Sequence, residues 1–147
     1  MITLRTELRL KGVTGQQITD FMLNCTDEEY QRWWPGTHLA FHTIKQCPGD
    51  IGNLVFMDEY VGERRLTVKA IVKKAVPGKK IVWKFVRFVR LPVRLILELE
   101  DQGDELSVRH TVTAGFNGPG RIIDPLLRVY FTRHFAKDLD EHVRTEF

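Results

Sequence analysis

Few side chains in this sequence have the type and spacing to do chemistry, and histidines and one carboxylate lead among them. His110 interrupts an alternating row that is otherwise apolar, Leu106, Val108, Val112, Ala114 and Phe116. An imidazole in such a row is a hydrogen-bonded core group, a group that orients a ligand, or a general acid or base. Tyr130 and His134 lie four residues apart in a helix-period segment, so they share one face. Asp58 and Glu59 are adjacent on a strand-like run and point to opposite faces, so they cannot work as a carboxylate pair. Glu59 is the better inward candidate, because Val55, Met57 and Val61 make the rest of its face apolar, whereas Leu54, Phe56 and Tyr60 accompany Asp58. Burial there would raise its pKa and suit it to hold a polar ligand head or to act as a general acid. An exposed strand carboxylate is the plainer alternative.

His38 and His42 are also four apart. On a helix that spacing would make a metal face, but Pro35-Gly36 argues for a strand. There the two imidazoles point to one side roughly 13 Å apart, too far to share a metal. They are surface groups, or they join Glu59 at the polar mouth of a pocket. No metal site is expected. The chain has no Gly-x-Ser-x-Gly elbow, no P-loop and no dinucleotide-binding glycine turn. Gly118-Pro119-Gly120 lacks the phosphate-loop pattern. Cys25 and Cys47 have neither metal nor redox spacing and read as two reduced thiols. No cofactor is implied.

These groups need elements to position them. Residues 2–10 alternate as a half-buried strand. Thr14 with Gln17 and Thr26 with Glu29 fit two capping boxes, which predict short helices over 15–23 and 27–33. The second ends at Trp34, before Pro35. Strand-like runs follow over 38–45, 53–61, 65–75, 80–89, 93–101 and 105–116, separated by Gly, Pro and Asp breakers. Their short connections favour an antiparallel meander. Asp124-Pro125 then opens a long amphipathic helix carrying Leu126, Leu127, Tyr130, Phe131, His134 and Phe135 on one side. The order predicts an α+β fold in which a curved antiparallel sheet of about seven strands wraps a long C-terminal helix, a shape that leaves a cavity.

At 147 residues, 43% hydrophobic and 28% charged, the chain suits a single domain over 1–147 with a real core. No apolar run is long enough to span a bilayer, and Ile2-Thr3-Leu4-Arg5 alternates at once, so a cytoplasmic location is expected. The net charge of +3 is spread over strands in alternation with apolar residues, as on a solvated sheet face, and no nucleic-acid partner is expected.

The element order strand, two helices, six strands, long helix resembles the START and birch-pollen-allergen superfamily (SRPBCC), including its polyketide cyclase-like members. The resemblance covers essentially the whole chain. Arg32-Trp33-Trp34-Pro35-Gly36 looks like the junction into the second strand, and Gly52-Asn53-Leu54-Val55-Phe56 like the start of the third. It implies the helix-grip fold and binding of lipid-, sterol- or polyketide-like molecules between sheet and helix. A minority of such proteins are enzymes and some are interaction modules, so fold alone does not choose.

Side-chain parity refines the expectation. Leu66, Val68, Ala70 and Val72 face inward, as do Ile81, Trp83 and Phe85, then Val93, Leu95, Leu97 and Leu99, then the His110 row. The expected ligand-binding set is Trp33, Phe56, Val68, Trp83, Phe85, Leu97, His110, Val112, Tyr130 and His134. The leading reading is a binding or transport protein for a hydrophobic or amphipathic small molecule. The alternatives are a cyclase- or dehydratase-like enzyme using His110, Glu59 or His134 as acid and base, and an interaction module with a closed pocket. In the last case Val82, Val86 and Phe88 would form an apolar outer patch for a partner or a homodimer.

Overall fold

The computed structural model describes residues 2–86, 93–115, 141, 144 and 145. The predicted helix from Asp124, with Tyr130 and His134, lies outside that range apart from Glu141, Arg144 and Thr145, which are helical. Phe88 and Phe116 also lie outside it.

Alternation does what it predicts at the N-terminus, where β1 spans Ile2–Lys11. Both capping boxes form. Thr14 opens α1 (Gly15–Asn24) and Thr26 opens α2 (Asp27–Trp33), each hydroxyl accepting from the backbone N–H three residues on. The helix ends at Trp34, whose ψ of 84° has left the helical range ahead of Pro35. Six strands follow: β2 (His38–Lys45), β3 (Leu54–Val61), β4 (Arg64–Val76), β5 (Lys80–Val86), β6 (Val93–Gln102) and β7 (Glu105–Ala114). They form one antiparallel sheet in the order β1-β7-β6-β5-β4-β3-β2. β1 and β2 are thus its two edges, and α1 and α2 are the connection between them.

The register stacks the inward residues in rows. Leu4, Val112, Leu95, Trp83 and Val72 make one row, and Thr6, His110, Leu97 and Ile81 the next. Phe85, Ala70 and Val55 continue the inner face toward β3, followed by Val68, Met57 and Phe41. Most of these side chains are buried, and Trp83 is 0% exposed.

α1 is pinned to the far turns of the sheet. The Gly15 N–H donates to Asp101 Oδ1 (3.1 Å) and the Gly78 N–H to Thr19 Oγ1 (2.9 Å). The approach is close enough that a Cβ on Gly15 would run into the Gly78 carbonyl oxygen. At the other end of the chain, Arg144 Nη1 donates to the Glu7 carbonyl on β1 (3.2 Å).

One expectation is corrected here and another is met only in part. A β-bulge after His38 advances β2 by two residues against one on β3, from His38↔Glu59 to Ala40↔Asp58. His38 and Phe41 therefore both face inward, and His42 turns to the outer face; the two histidines do not share a side. Of the expected outer patch, Val86 is half-buried and Phe88 lies outside the described residues. Val82 is only 8% exposed, and the exposed large apolar side chains among the described residues are Ile44 and Ile51.

Candidate functional site

Two features lie where α1 and α2 close over the edges of the sheet: an apolar groove and a buried polar cluster behind one of its walls.

The groove has a volume of about 700 Å³ and is bounded by β1, α1 and α2. Leu10 and Val13 come from β1 and the turn after it, and Ile18, Phe21 and Met22 from one face of α1 at helical spacing. Trp33 closes it from α2, edge-on to Phe21 with ring centres 5.3 Å apart. Gln17, Glu29 and Arg32 are its polar margin. The volume is within the range of small-molecule sites, and the lining has their usual character, apolar with a few polar groups.

Behind Trp33 sits the polar cluster. The Tyr30 hydroxyl donates to Glu59 Oε2 at 2.9 Å. His38, 1% exposed, stacks flat on the Tyr30 ring at 3.8 Å and meets the edges of Trp33 and Trp34. Its Nδ1 is 3.1 Å from the Tyr30 carbonyl oxygen. A carbonyl can only accept, so Nδ1 carries the proton and neutral His38 turns the lone pair of Nε2 toward Glu59 Oε2, 3.8 Å away. Burial pushes the His38 pKa below 6.5, against the opposing pull of the Glu59 carboxylate. The cluster therefore holds a neutral base, a phenol and a carboxyl group in mutual contact at the sheet edge.

Asp58, next in sequence to Glu59, has a different environment. It takes a bidentate pair from Arg65 (3.0 and 2.8 Å) and the Thr67 hydroxyl (3.1 Å) on the outer face. The Arg65 hydrogen bonds hold its carboxyl below the usual carboxylate value. His42 is also outside. Its Nδ1 meets Asp27 Oδ1 at 2.8 Å, and Asp27 also accepts the Phe41 N–H, which ties the start of α2 to β2.

The residues singled out from sequence fall into four groups. Val68, Trp83, Phe85, Leu97, His110 and Val112 are together on the inner face and buried. The buried Nε1 of Trp83 has no hydrogen-bond partner among the described residues. Trp33 and Glu59 are at the α2 corner. Phe56 is corrected: it pairs with His42 and Lys69 on the outer face, its ring 5.3 Å from His42, because Phe56 and Glu59 have opposite parity and the sheet turns Glu59 inward. Tyr130 and His134 lie outside the described residues. Glu59 and His110 are not neighbours, since β4, β5 and β6 separate their strands, roughly 19 Å measured along the sheet. Tyr30 is the site residue that sequence reasoning passes over, since nothing local marks it. His38 does join Glu59, one of its two expected readings, but without His42, because the bulge is silent in sequence. Among the described residues no three His, Cys, Asp or Glu side chains converge as a metal site.

No protein-family model and no curated protein matches the sequence. Solved structures do match over nearly the full length. Ginseng major latex-like protein 151 from Panax ginseng is 12% identical, with a TM-score of 0.61, covering 97% of this chain and 98% of that one. A START superfamily protein from Mycobacterium smegmatis is 12% identical, with a TM-score of 0.60 and 99% of each chain covered. The di-domain ARO/CYC protein StfQ of the steffimycin biosynthetic pathway is 17% identical, with a TM-score of 0.58, covering 99% of this chain and 49% of that one. The seven-stranded antiparallel sheet with its two helices is thus the α+β helix-grip fold of the START and birch-pollen-allergen-like proteins. No helix among the described residues is long and apolar enough to cross a membrane.

Proposed function

We propose that this protein binds or carries a hydrophobic or amphipathic small molecule, with the groove between β1, α1 and α2 as part of its site. The observation that carries this reading is the groove itself. Its six apolar side chains present about 700 Å³ of space beside a sheet face whose own apolar side chains are largely buried. Leaving such a surface to water forfeits roughly 25 cal/mol for every Å² that a ligand could cover. The Trp83 N–H, without a partner among the described residues, supports an oxygen-bearing ligand deeper in, since a buried donor left so costs about 1–3 kcal/mol. Native mass spectrometry of freshly purified protein, followed by organic extraction, tests the reading. An apolar molecule should leave with the extract. A bare chain mass, together with no uptake of a hydrophobic fluorophore, would sink it.

A second reading, acid–base chemistry on the bound molecule, draws on the Tyr30–Glu59–His38 cluster. A carboxylate held by a phenol beside a neutral imidazole is suited to moving a proton next to a carbonyl. Deuterium exchange at the acidic carbon of a long-chain β-diketone should then be catalysed, and lost in Glu59→Gln with binding retained. Equal exchange by the two proteins would remove Glu59 from any such role.

A further inference from the structure

We infer that the ligand of the groove carries an anionic head, a carboxylate or a chemically similar oxyanion, and that Arg32 reads it. The inference rests on the groove reading above and follows from how its polar margin spends its hydrogen bonds. Three polar side chains line the groove, and two are committed. Gln17 Oε1 accepts the Thr14 N–H at 2.9 Å, closing the capping box of α1. Glu29 Oε2 accepts the Thr26 N–H at 2.9 Å, closing that of α2. Arg32, in the last turn of α2 beside Trp33, makes no hydrogen bond or ion pair with any described residue. Its guanidinium has five N–H donors in a planar fork suited to an oxyanion.

The asymmetry decides the sign of the head group. A cationic head would have to reach Glu29, whose carboxylate is turned back toward the start of α2, and share it with the capping bond. An anionic head meets an uncommitted cation and disturbs no helix end. Glu29 lies three residues before Arg32 and repels an anion. Its carboxylate is nevertheless held toward Thr26 rather than across to Arg32, with which it forms no ion pair. Trp33 and Phe21 then supply the wall along which the apolar body lies, with the head at the open margin, where Arg32 is exposed.

The test compares three probes with the same chain and different heads, decanoate, decanol and decylamine, by calorimetric titration of the intact protein and of Arg32→Gln. Decanoate should bind roughly three- to ten-fold more tightly than decanol, the range for one solvent-accessible charge-assisted contact. Arg32→Gln should abolish that difference and leave decanol unchanged, and Arg32→Lys should restore part of it. Equal affinity for decanoate and decanol in the intact protein would overturn the inference. So would tighter binding of decylamine, or an Arg32→Gln variant that weakens all three alike. If decanol binds and discrimination is absent, the anionic-head inference fails and the groove reading stands. If none of the three binds, the groove reading fails and takes this inference with it.

Discussion

The hydroxyl of Tyr30 and the carboxylate of Glu59 are joined by a 2.9 Å hydrogen bond between the first turn-and-a-half of a helix and the inner face of a strand 29 residues on. This contact couples α2 to β3 across the edge strand β2. It places the carboxylate under a stacked Tyr30–His38 pair, whose rings are within 2° of parallel. The groove wall at Trp33 leans on the same two rings, 6.1 and 4.9 Å away, so the cluster positions the groove as well as holding a proton-accepting group.

Removing the phenol hydroxyl with Tyr30→Phe should destabilise the fold by about 1–2 kcal/mol, as for a hydrogen bond to a partly buried carboxylate. The check is chemical denaturation of Tyr30→Phe, Glu59→Gln and the double variant. A coupling energy of roughly 0.5 kcal/mol or more is expected from the cycle. Strict additivity would mean that the contact contributes nothing.

His38 makes stability depend on pH in a definite direction. Its folded pKa lies below 6.5, chiefly because burial disfavours the imidazolium. The unfolded chain therefore binds the proton first. The stabilisation is complete above the unfolded value and declines as pH falls from about 6.5 toward the lower folded value. In His38→Asn, which can keep a donor near the Tyr30 carbonyl, the denaturation midpoint should vary less between pH 7 and pH 5 than in the parent. Parallel curves would contradict this assignment.

The two thiols should differ in reactivity. Burial, with help from the Glu29 and Asp27 carboxylates, pushes the Cys25 thiol up to about 12, and its Sγ lies against the Phe41 carbonyl at 3.7 Å. At pH 8 roughly one Cys25 in ten thousand is a thiolate. A disulfide reagent should therefore titrate one thiol in the native protein, on Cys47, and two after denaturation. Rapid native labelling of Cys25 would contradict the packing described.

Gly15 is required by proximity. Gly15→Ala places a methyl group against the Gly78 carbonyl, in a contact made of two backbones that cannot swing aside. A loss of roughly 1–3 kcal/mol is expected, the usual cost of overpacking. Gly12, with open space around its Cβ position but a φ of +77°, offers a comparison in which only backbone strain acts. Equal and negligible shifts in the two melting temperatures would show that α1 is not held in this way.

Much of the architecture is legible locally, because local periods and caps are short-range physics. Thr14/Gln17 and Thr26/Glu29 announce α1 and α2 to within a residue, since a capping box needs only neighbours three positions apart. Alternation marks the inward rows through Val68, Trp83, Leu97 and His110, because a strand face is set every second residue. The same rule fails at His38 and His42. One extra residue inverts parity, and nothing in Leu39 or Ala40 announces it. It also leaves Phe56 and Glu59 as rival inward candidates until the pairing of β3 with β4 turns Glu59, Met57 and Val55 to the side of Leu66, Val68 and Ala70.

By itself, then, the sequence determined the elements, their order and most of the inward faces, all consequences of interactions a few residues long. Only the tertiary structure decided which polar groups meet. Tyr30, His38 and Glu59 come together because α2 folds back over an edge strand whose bulge turns His38 inward. The groove exists because α1 is drawn to turns more than sixty residues away in the case of Gly78, and further still for Asp101. Such contacts depend on register and closure of the whole sheet, which no local pattern encodes.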